Sequence, residues 1–333
     1  MLTEFALTPD LFDESRNPDL NKWIRRLIKL NKGMTRSGDD PMPVIVSNLR
    51  GSAWHYQTEL RIGEIKDEIA KEECEELIDA INDVLVHRPC VESIKSEPGK
   101  VEKQWLEEII GTHQIASIDR IVATDEAAVS FGNGVRRFSE VLESGFWRGI
   151  GNSKSPPPTI SDQVQLLAPM CLFSEFICLV SPFFNPTSQG DYQFAREVIR
   201  ASFNRPSSFG QIKRIEIHTQ VMPGHNNPVQ YLEEVGKMIN GTLGNQEVFW
   251  VVGWDNLRER YLCAGDLAAS GGKRVRWSFN LSHVEREGTI SSGMHEPDWT
   301  HLPKGKSLKL YNKYFSPNVT GFHGPVRVVP NLD

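Results

Sequence analysis

The 333-residue chain has 39% hydrophobic and 24% charged residues, the balance of a globular protein with a real core, and its length suits two domains or one built from two halves. A net charge of −6 excludes a protein that coats nucleic acid through an overall basic surface, while leaving room for a local basic groove. Cys74, Cys90, Cys171, Cys178 and Cys263 form an odd set without a CxxC pair, which argues against a disulfide framework or thiolate zinc site and for a reducing compartment.

Met1–Phe5 lacks the basic and apolar regions of a secretory leader. The longest apolar stretch, near Leu166–Phe184, is broken by Pro169, Ser174, Glu175, Ser181 and Pro182, too often for a membrane span. Both features point to a cytoplasmic chain without membrane insertion.

Asp19–Leu30 reads as a helix with Leu20, Trp23, Ile24, Leu27 and Ile28 on one side. Lys22, Arg25, Arg26 and Lys29 lie opposite, either solvated or facing nucleic acid or an acidic partner. Met42–Leu49 reads as a buried strand and Glu64–Val86 as one helix. Pro98 opens a further helix carrying Val101, Trp105 and Ile109, which Gly111 ends. Asp119–Ala123 and Ala127–Phe131 read as strands, with a turn at Gly132 and Gly134, and Phe138–Leu142 as a short helix. The proline-rich run Gly151–Pro158 suits a linker, placing one lobe over 1–150, the linker over 151–160 and a second lobe over 161–333.

In the second half, strands are expected at Phe176–Leu179, Arg214–Val221, Val248–Val252, Arg260–Ala264 and Val275–Leu281. Helices are expected at Asp191–Phe203 and after Asn227-Pro228, where an N-cap precedes a proline at the first helical position. The alternation predicts an α/β fold of two related lobes, each a mixed, mainly parallel sheet flanked by helices.

Two phrases read alike. Ile118-Asp119-Arg120 runs through an apolar stretch to Asp125 and Gly132, and Arg258-Glu259-Arg260 runs through another to Asp266, Ser278 and Asn280. On these residues the chain resembles the phospholipase D superfamily, nuclease-like branch, in which each half carries His-x-Lys-x4-Asp followed by Gly-Ser-x-Asn. The resemblance implies two lobes facing each other across a phosphodiester, with one histidine as nucleophile, the other as acid, lysines on the phosphate and no metal. Here Ile118 and Arg258 occupy the histidine positions and Arg120 and Arg260 the lysine positions. Asp125 keeps its spacing and Asp266 falls one residue late, while Trp277 replaces a glycine and Asn133 a serine. Ile118 has no titratable proton and Arg258 stays protonated, so the phosphohistidine route is closed.

What remains is charge. Arg120, Arg260, Ser278 and Asn280 are the candidate phosphate contacts, with Asp125 and Asp266 supporting them. The competing view pairs each arginine with its own aspartate inside the fold. His295–His301 collects two histidines and two acids but fits a surface loop better than a metal site. Lys304, Lys306, Lys309 and Lys313, interleaved with Tyr311, Tyr314 and Phe315, suit either a nucleic-acid track or a guarded edge strand.

The expected function is a non-catalytic phospholipase D-like binding or scaffold protein without a cofactor. It would engage nucleic acid or another phosphate-bearing ligand in the inter-lobe cleft, with protein partners in a complex, by analogy a bacterial defence or DNA-processing assembly. One rival is a phosphodiesterase or nuclease with a rearranged site of Arg258, Arg260 and His283. The other is an α/β interaction module unrelated to the family.

Overall fold

The structure is a computed structural model and describes residues 3–17, 20, 22, 44–50, 53–82, 84–89, 101–132, 134–141, 143, 146, 153–154, 159–182, 184, 189–222, 224–240, 248–271, 299–302, 304–315 and 322–328. The chain forms two compact α/β units, divided between Asn152 and Ser153. Among the described residues, no helix is long and apolar enough to cross a membrane.

The first unit is a five-stranded, wholly parallel sheet of order β3-β2-β1-β4-β5. Its strands are β1 (Thr3–Leu7), β2 (Val44–Leu49), β3 (Leu85–Arg88), β4 (Arg120–Ala123) and β5 (Val135–Arg137). Its helices are α1 (Ala53–Gly63), α2 (Glu68–Asn82), α3 (Glu102–Ile115), α4 (Asp125–Phe131) and α5 (Phe138–Val141). Trp54 and Trp105 are fully buried in the core, which also takes Leu7, Leu11, Phe12, Ile109 and Val122.

Three expectations fail here for local reasons. The single helix over Glu64–Val86 is α2 followed by β3. Asp67 caps α2 by accepting from the amides of Ile69 and Ala70, and Leu85–Arg88 gains a parallel neighbour in β2. The strand over Ala127–Phe131 is helix α4. Thr124 caps its start, Asp125 and Glu126 suit the positive end of its dipole, and Gly132 ends it at φ 77°. Val129, inside the stretch read as a strand, is 62% exposed. Helix α3 passes through Gly111 and ends at Ile115, with the Ala116 amide closing on the Thr112 carbonyl.

The second unit is an eight-stranded mixed sheet of order β13-β9-β8-β7-β10-β11-β12-β6. Strands β7 (Phe176–Val180), β8 (Arg214–Gln220) and β9 (Phe249–Trp254) run parallel, linked by α7 (Gln189–Phe203) and α8 (Pro228–Asn240). Antiparallel neighbours extend the sheet: β6 (Ser153–Lys154), β10 (Tyr261–Ala264), β11 (Leu267–Gly271), β12 (Trp299–His301) and β13 (Phe322–Val328). Helices α6 (Ile160–Leu172) and α9 (Lys304–Phe315) complete the unit. Asn227 caps α8 as expected, accepting from the Gln230 amide at 3.2 Å. Leu232, Val235 and Ile239 on that helix are fully buried, each contributing roughly 1.5–3 kcal/mol.

Ser153–Lys154, read as linker, pairs with β12, and Ile160 already begins a helix. Lys304–Phe315 is a helix, which removes the edge-strand view of its lysines. Trp299–His301, read as the end of a surface loop, is a strand paired with β11. Of the expected Asp19–Leu30 helix only Leu20 and Lys22 are described, both helical; Val275–Leu281 lies outside the described residues.

The two similar phrases take different local structures. In the first unit the apolar run is a parallel strand leading into helix α4. In the second it is one arm of the β10–β11 hairpin, turned at Gly265-Asp266 with Gly265 at φ 61°.

Candidate functional site

Arg120 begins β4 and lies opposite Phe5 of β1. Register pairs share a sheet face, so Arg136, opposite Val122, projects on the same side as Arg120. The Arg120 guanidinium sits 4.7 Å from the centre of the Phe146 ring and 5.8 Å from that of Phe5. Burial and then the like charge of Arg136 pull Arg120 below the usual arginine value, with Asp119 acting in the opposite direction.

Together these residues line an open cleft of about 430 Å³, walled by Asp119, Arg120, Arg136, Glu140, Glu143 and Phe146. Its carboxylates have local tasks. Asp119 Oδ2 accepts from the Glu4 amide at 2.8 Å, and Glu140 accepts from Arg136 at 3.3 Å. The lining offers two guanidinium groups, three carboxylates and one aromatic edge, without a thiol, hydroxyl or imidazole among the residues named.

The internal pairing of Arg120 with Asp125 does not hold. They stand at opposite ends of β4, separated by roughly 16 Å of extended chain at about 3.3 Å per residue. Asp125 instead accepts from the Ser139 amide at 2.9 Å, tying α4 to α5. Arg260 and Asp266 are likewise separated by the length of β10.

Arg258 is exposed and donates to Asn256 at 3.2 Å, whereas Arg260 is buried against Gly271, whose amide donates to the Arg260 carbonyl at 3.0 Å. A Cβ on Gly271 would meet Arg260 Cβ at 3.3 Å, a tight contact that would push the arginine stem by a few tenths of an ångström. Asp266 is exposed in the hairpin turn. Ser278, Asn280 and His283 lie outside the described residues. Ile118 is 4% exposed, part of the core.

In a parallel sheet of this order the chain reverses its winding between β1 and β4, and the crevice beyond their C-terminal ends is where such sheets hold ligands. Here Glu102, from the first turn of α3, fills it. Its Oε1 accepts from Thr8 Oγ1 at 2.7 Å and from the Thr124 amide at 2.9 Å, and its Oε2 accepts from Thr124 Oγ1 at 2.5 Å. Nearby Asp10 is buried beside Arg61 at 3.1 Å. Burial pushes Asp10 up to about 6, the neighbouring charge of Glu102 adds to the rise, and Arg61 and Arg16 restrain it.

A second polar line crosses one face of β8. Arg214 donates to Glu216 Oε1 at 2.5 Å, and His218 Nε2 lies 2.8 Å from Glu216 Oε2. Trp254 Nε1 donates to His218 Nδ1 at 2.8 Å. An indole can only donate, so Nδ1 is the acceptor and Nε2 carries the hydrogen toward Glu216. Carboxylate and imidazole resemble a catalytic pair, but the lone pair that would act as base is taken by Trp254. Burial holds His218 below its usual value, and Tyr314 closes the ring edge-on at 5.1 Å.

Sequence reasoning missed Arg136, Glu140 and Phe146, for which the Arg136–Glu140 spacing of four was the one available sign. It also missed Glu216 and His218, whose Glu-x-His alternation with Ile215 and Ile217 was visible in the expected Arg214–Val221 element.

No protein-family model matches the chain, and no curated protein matches it. Among solved structures, it is similar to an archaeal chromatin protein, TrmBL2, whose structure is described as showing a novel mode of DNA binding. The identity is 11%, the likeness covers 51% of each chain, and the TM-score is 0.24. A likeness of that degree carries no argument about this chain.

Proposed function

We propose that the protein is a non-catalytic, phospholipase D-like binding or scaffold protein whose first unit holds a phosphate-bearing ligand in the Arg120–Arg136 cleft. The observation that carries this reading is the pair of guanidinium groups on one sheet face, opening into a cleft of about 430 Å³ with Arg120 braced against Phe146. Guanidinium forks suit phosphate oxygens, and a ring beneath the guanidinium fixes its plane.

The carboxylates of Glu140 and Glu143 narrow the ligand class. A bare polyanion would be repelled by them, whereas a nucleotide offers one phosphate to the arginines and hydroxyl or amino donors to the acids.

Titration calorimetry with a nucleoside monophosphate, and with inorganic phosphate for comparison, tests the reading. Wild type should bind the nucleotide, and Arg120→Gln should weaken it about 10- to 100-fold, the cost of one or two charge-assisted hydrogen bonds. Unchanged affinity in a folded Arg120→Gln, Arg136→Gln double variant removes both residues from the site. Cleavage of DNA or RNA that is lost on His283→Ala would replace the binding reading by the hydrolytic one.

A further inference from the structure

Register in the second sheet sets Phe176 of β7 beside Arg214 of β8, and Trp250 of β9 between Glu216 of β8 and Arg327 of β13. Side chains two apart on a strand share a face, so these five lie on one side of the sheet. The same side carries Cys178, His218, Val252 and Trp254 further along the parallel strands, and each of these is buried. Phe176, Arg214 and Trp250 are partly exposed and Arg327 is exposed. Burial therefore stops at one row, near the N-terminal ends of β7, β8 and β9, and leaves an open shelf.

Helix α9 borders that shelf. Its Phe315 meets Phe176 at 6.4 Å and Tyr311 at 5.0 Å, and both α9 rings are partly exposed. The Arg214 guanidinium lies 4.8 Å from the centre of the Trp250 ring and donates to Glu216 at 2.5 Å, two contacts that fix its plane. Glu216 is 4% exposed and also holds His218, so the one acid of the row stays below the surface. What reaches solvent is flat aromatic surface and positive charge.

That pairing selects among anionic partners. A duplex keeps its base faces stacked inside and would leave the rings idle. An acidic polypeptide answers the arginines but brings no flat face for Phe176 and Trp250. A single strand answers both, with phosphates for the guanidinium groups and unstacked bases for the rings and for the guanidinium plane of Arg214. From Phe176 to Arg327 the row crosses four neighbouring strands, the breadth on which sheet-face RNA readers stack two or three bases.

We propose that Phe176, Arg214, Trp250 and Arg327 form a stacking platform for single-stranded nucleic acid. The platform belongs to the second unit alone and does not depend on the Arg120 cleft of the first.

The test is fluorescence anisotropy of the full chain with a labelled single-stranded oligothymidylate across a salt series, with a duplex of the same length for comparison. Wild type should bind the single strand more tightly than the duplex. Trp250→Leu should weaken that binding about 10-fold or more, the loss of one stacked base, while Trp250→Phe keeps a ring and most of the affinity. Arg327→Gln should lower the slope of log affinity against log salt by about 0.7, one phosphate contact on a single strand. Arg327 is exposed, so this variant decides the matter even where a tryptophan variant proves unfolded by circular dichroism. An Arg120→Gln, Arg136→Gln variant should bind the strand as wild type does. Five results overturn the proposal: no single-strand binding by wild type, duplex binding as tight or tighter, unchanged affinity in a folded Trp250→Leu variant, an unchanged slope in Arg327→Gln, or displacement of the strand by polyglutamate at equal charge. Loss of strand binding in the Arg120, Arg136 variant would place the strand in the cleft instead.

Discussion

Trp254 donates its indole N–H to Nδ1 of His218 at 2.8 Å, and that bond decides the state of the imidazole. With Nδ1 occupied as acceptor, Nε2 must carry the hydrogen that faces Glu216. The ring is a neutral strut between a carboxylate and an indole. Trp254→Phe keeps the aromatic packing and removes the donor, leaving a buried lone pair without its partner. Stability should fall by about 1–3 kcal/mol in urea denaturation, with the near-ultraviolet signal of the remaining core retained.

Acid should act oppositely on the two units through one displaced group in each, His301 and Asp10. His301 is held down to about 4 by burial, below its unfolded value near 6.5, so its contribution is present above pH 6.5 and lost as pH falls through 4. His218 shifts in the same direction. Asp10 is raised to about 6, so its contribution is full below its unfolded value of 3.8 and lost as pH rises through 6. Calorimetric scans between pH 7.5 and 4 should show the second unit losing stability. His301→Leu should flatten that loss, by up to about 3 kcal/mol for a shift of this size.

Glu102 joins the ends of β1 and β4 through Thr8 and Thr124, and it also raises Asp10. Glu102→Ala should destabilise the first unit by about 3 kcal/mol, since buried donors lose their acceptor. Glu102→Gln removes the charge, and the Asp10 carboxyl should then titrate below its wild-type value of about 6 in an NMR titration. An unmoved Asp10 would mean that burial alone sets it.

Arg88 is fully buried and grips Glu4 through two bonds, Nε to Oε1 at 2.6 Å and a terminal nitrogen to Oε2 at 2.7 Å. Its other terminal nitrogen donates to the Thr112 and Ala116 carbonyls near the end of α3. Arg88→Met should cost about 3–5 kcal/mol by stranding a buried carboxylate. Adding Glu4→Gln should recover part of that loss, and a double-mutant cycle in urea measures how much is the pair's own.

Some of this was legible in the residues. Ile215 and Ile217 alternate and the Arg214–Gln220 strand follows; Asn227-Pro228 announces α8; both halves alternate strand and helix, and both are α/β. The misreadings came where a short apolar pattern fits two periods. Ala127–Phe131 is a short, largely apolar run that could be a strand, yet the Thr124 cap and the acids of its first turn make it a helix. Glu64–Val86 looks continuous because the break at Asn82 carries no glycine or proline, and only pairing with β2 turns Leu85–Arg88 into a strand.

The site was less legible than the fold for the same reason. The sequence by itself determined that the chain is α/β, and that Ile118 has no group to titrate while Arg258 keeps its charge, because backbone preference and side-chain chemistry are properties of single residues and their near neighbours. Tertiary structure alone decided which charges meet. It set Arg120 beside Arg136 and Phe146 rather than Asp125, buried Arg260 while exposing Arg258, and filled the β1–β4 crevice with Glu102. Coulomb forces and hydrogen bonds act through space, and sheet register, which brings residues distant in the chain to within a few ångströms, is written in no local stretch of sequence.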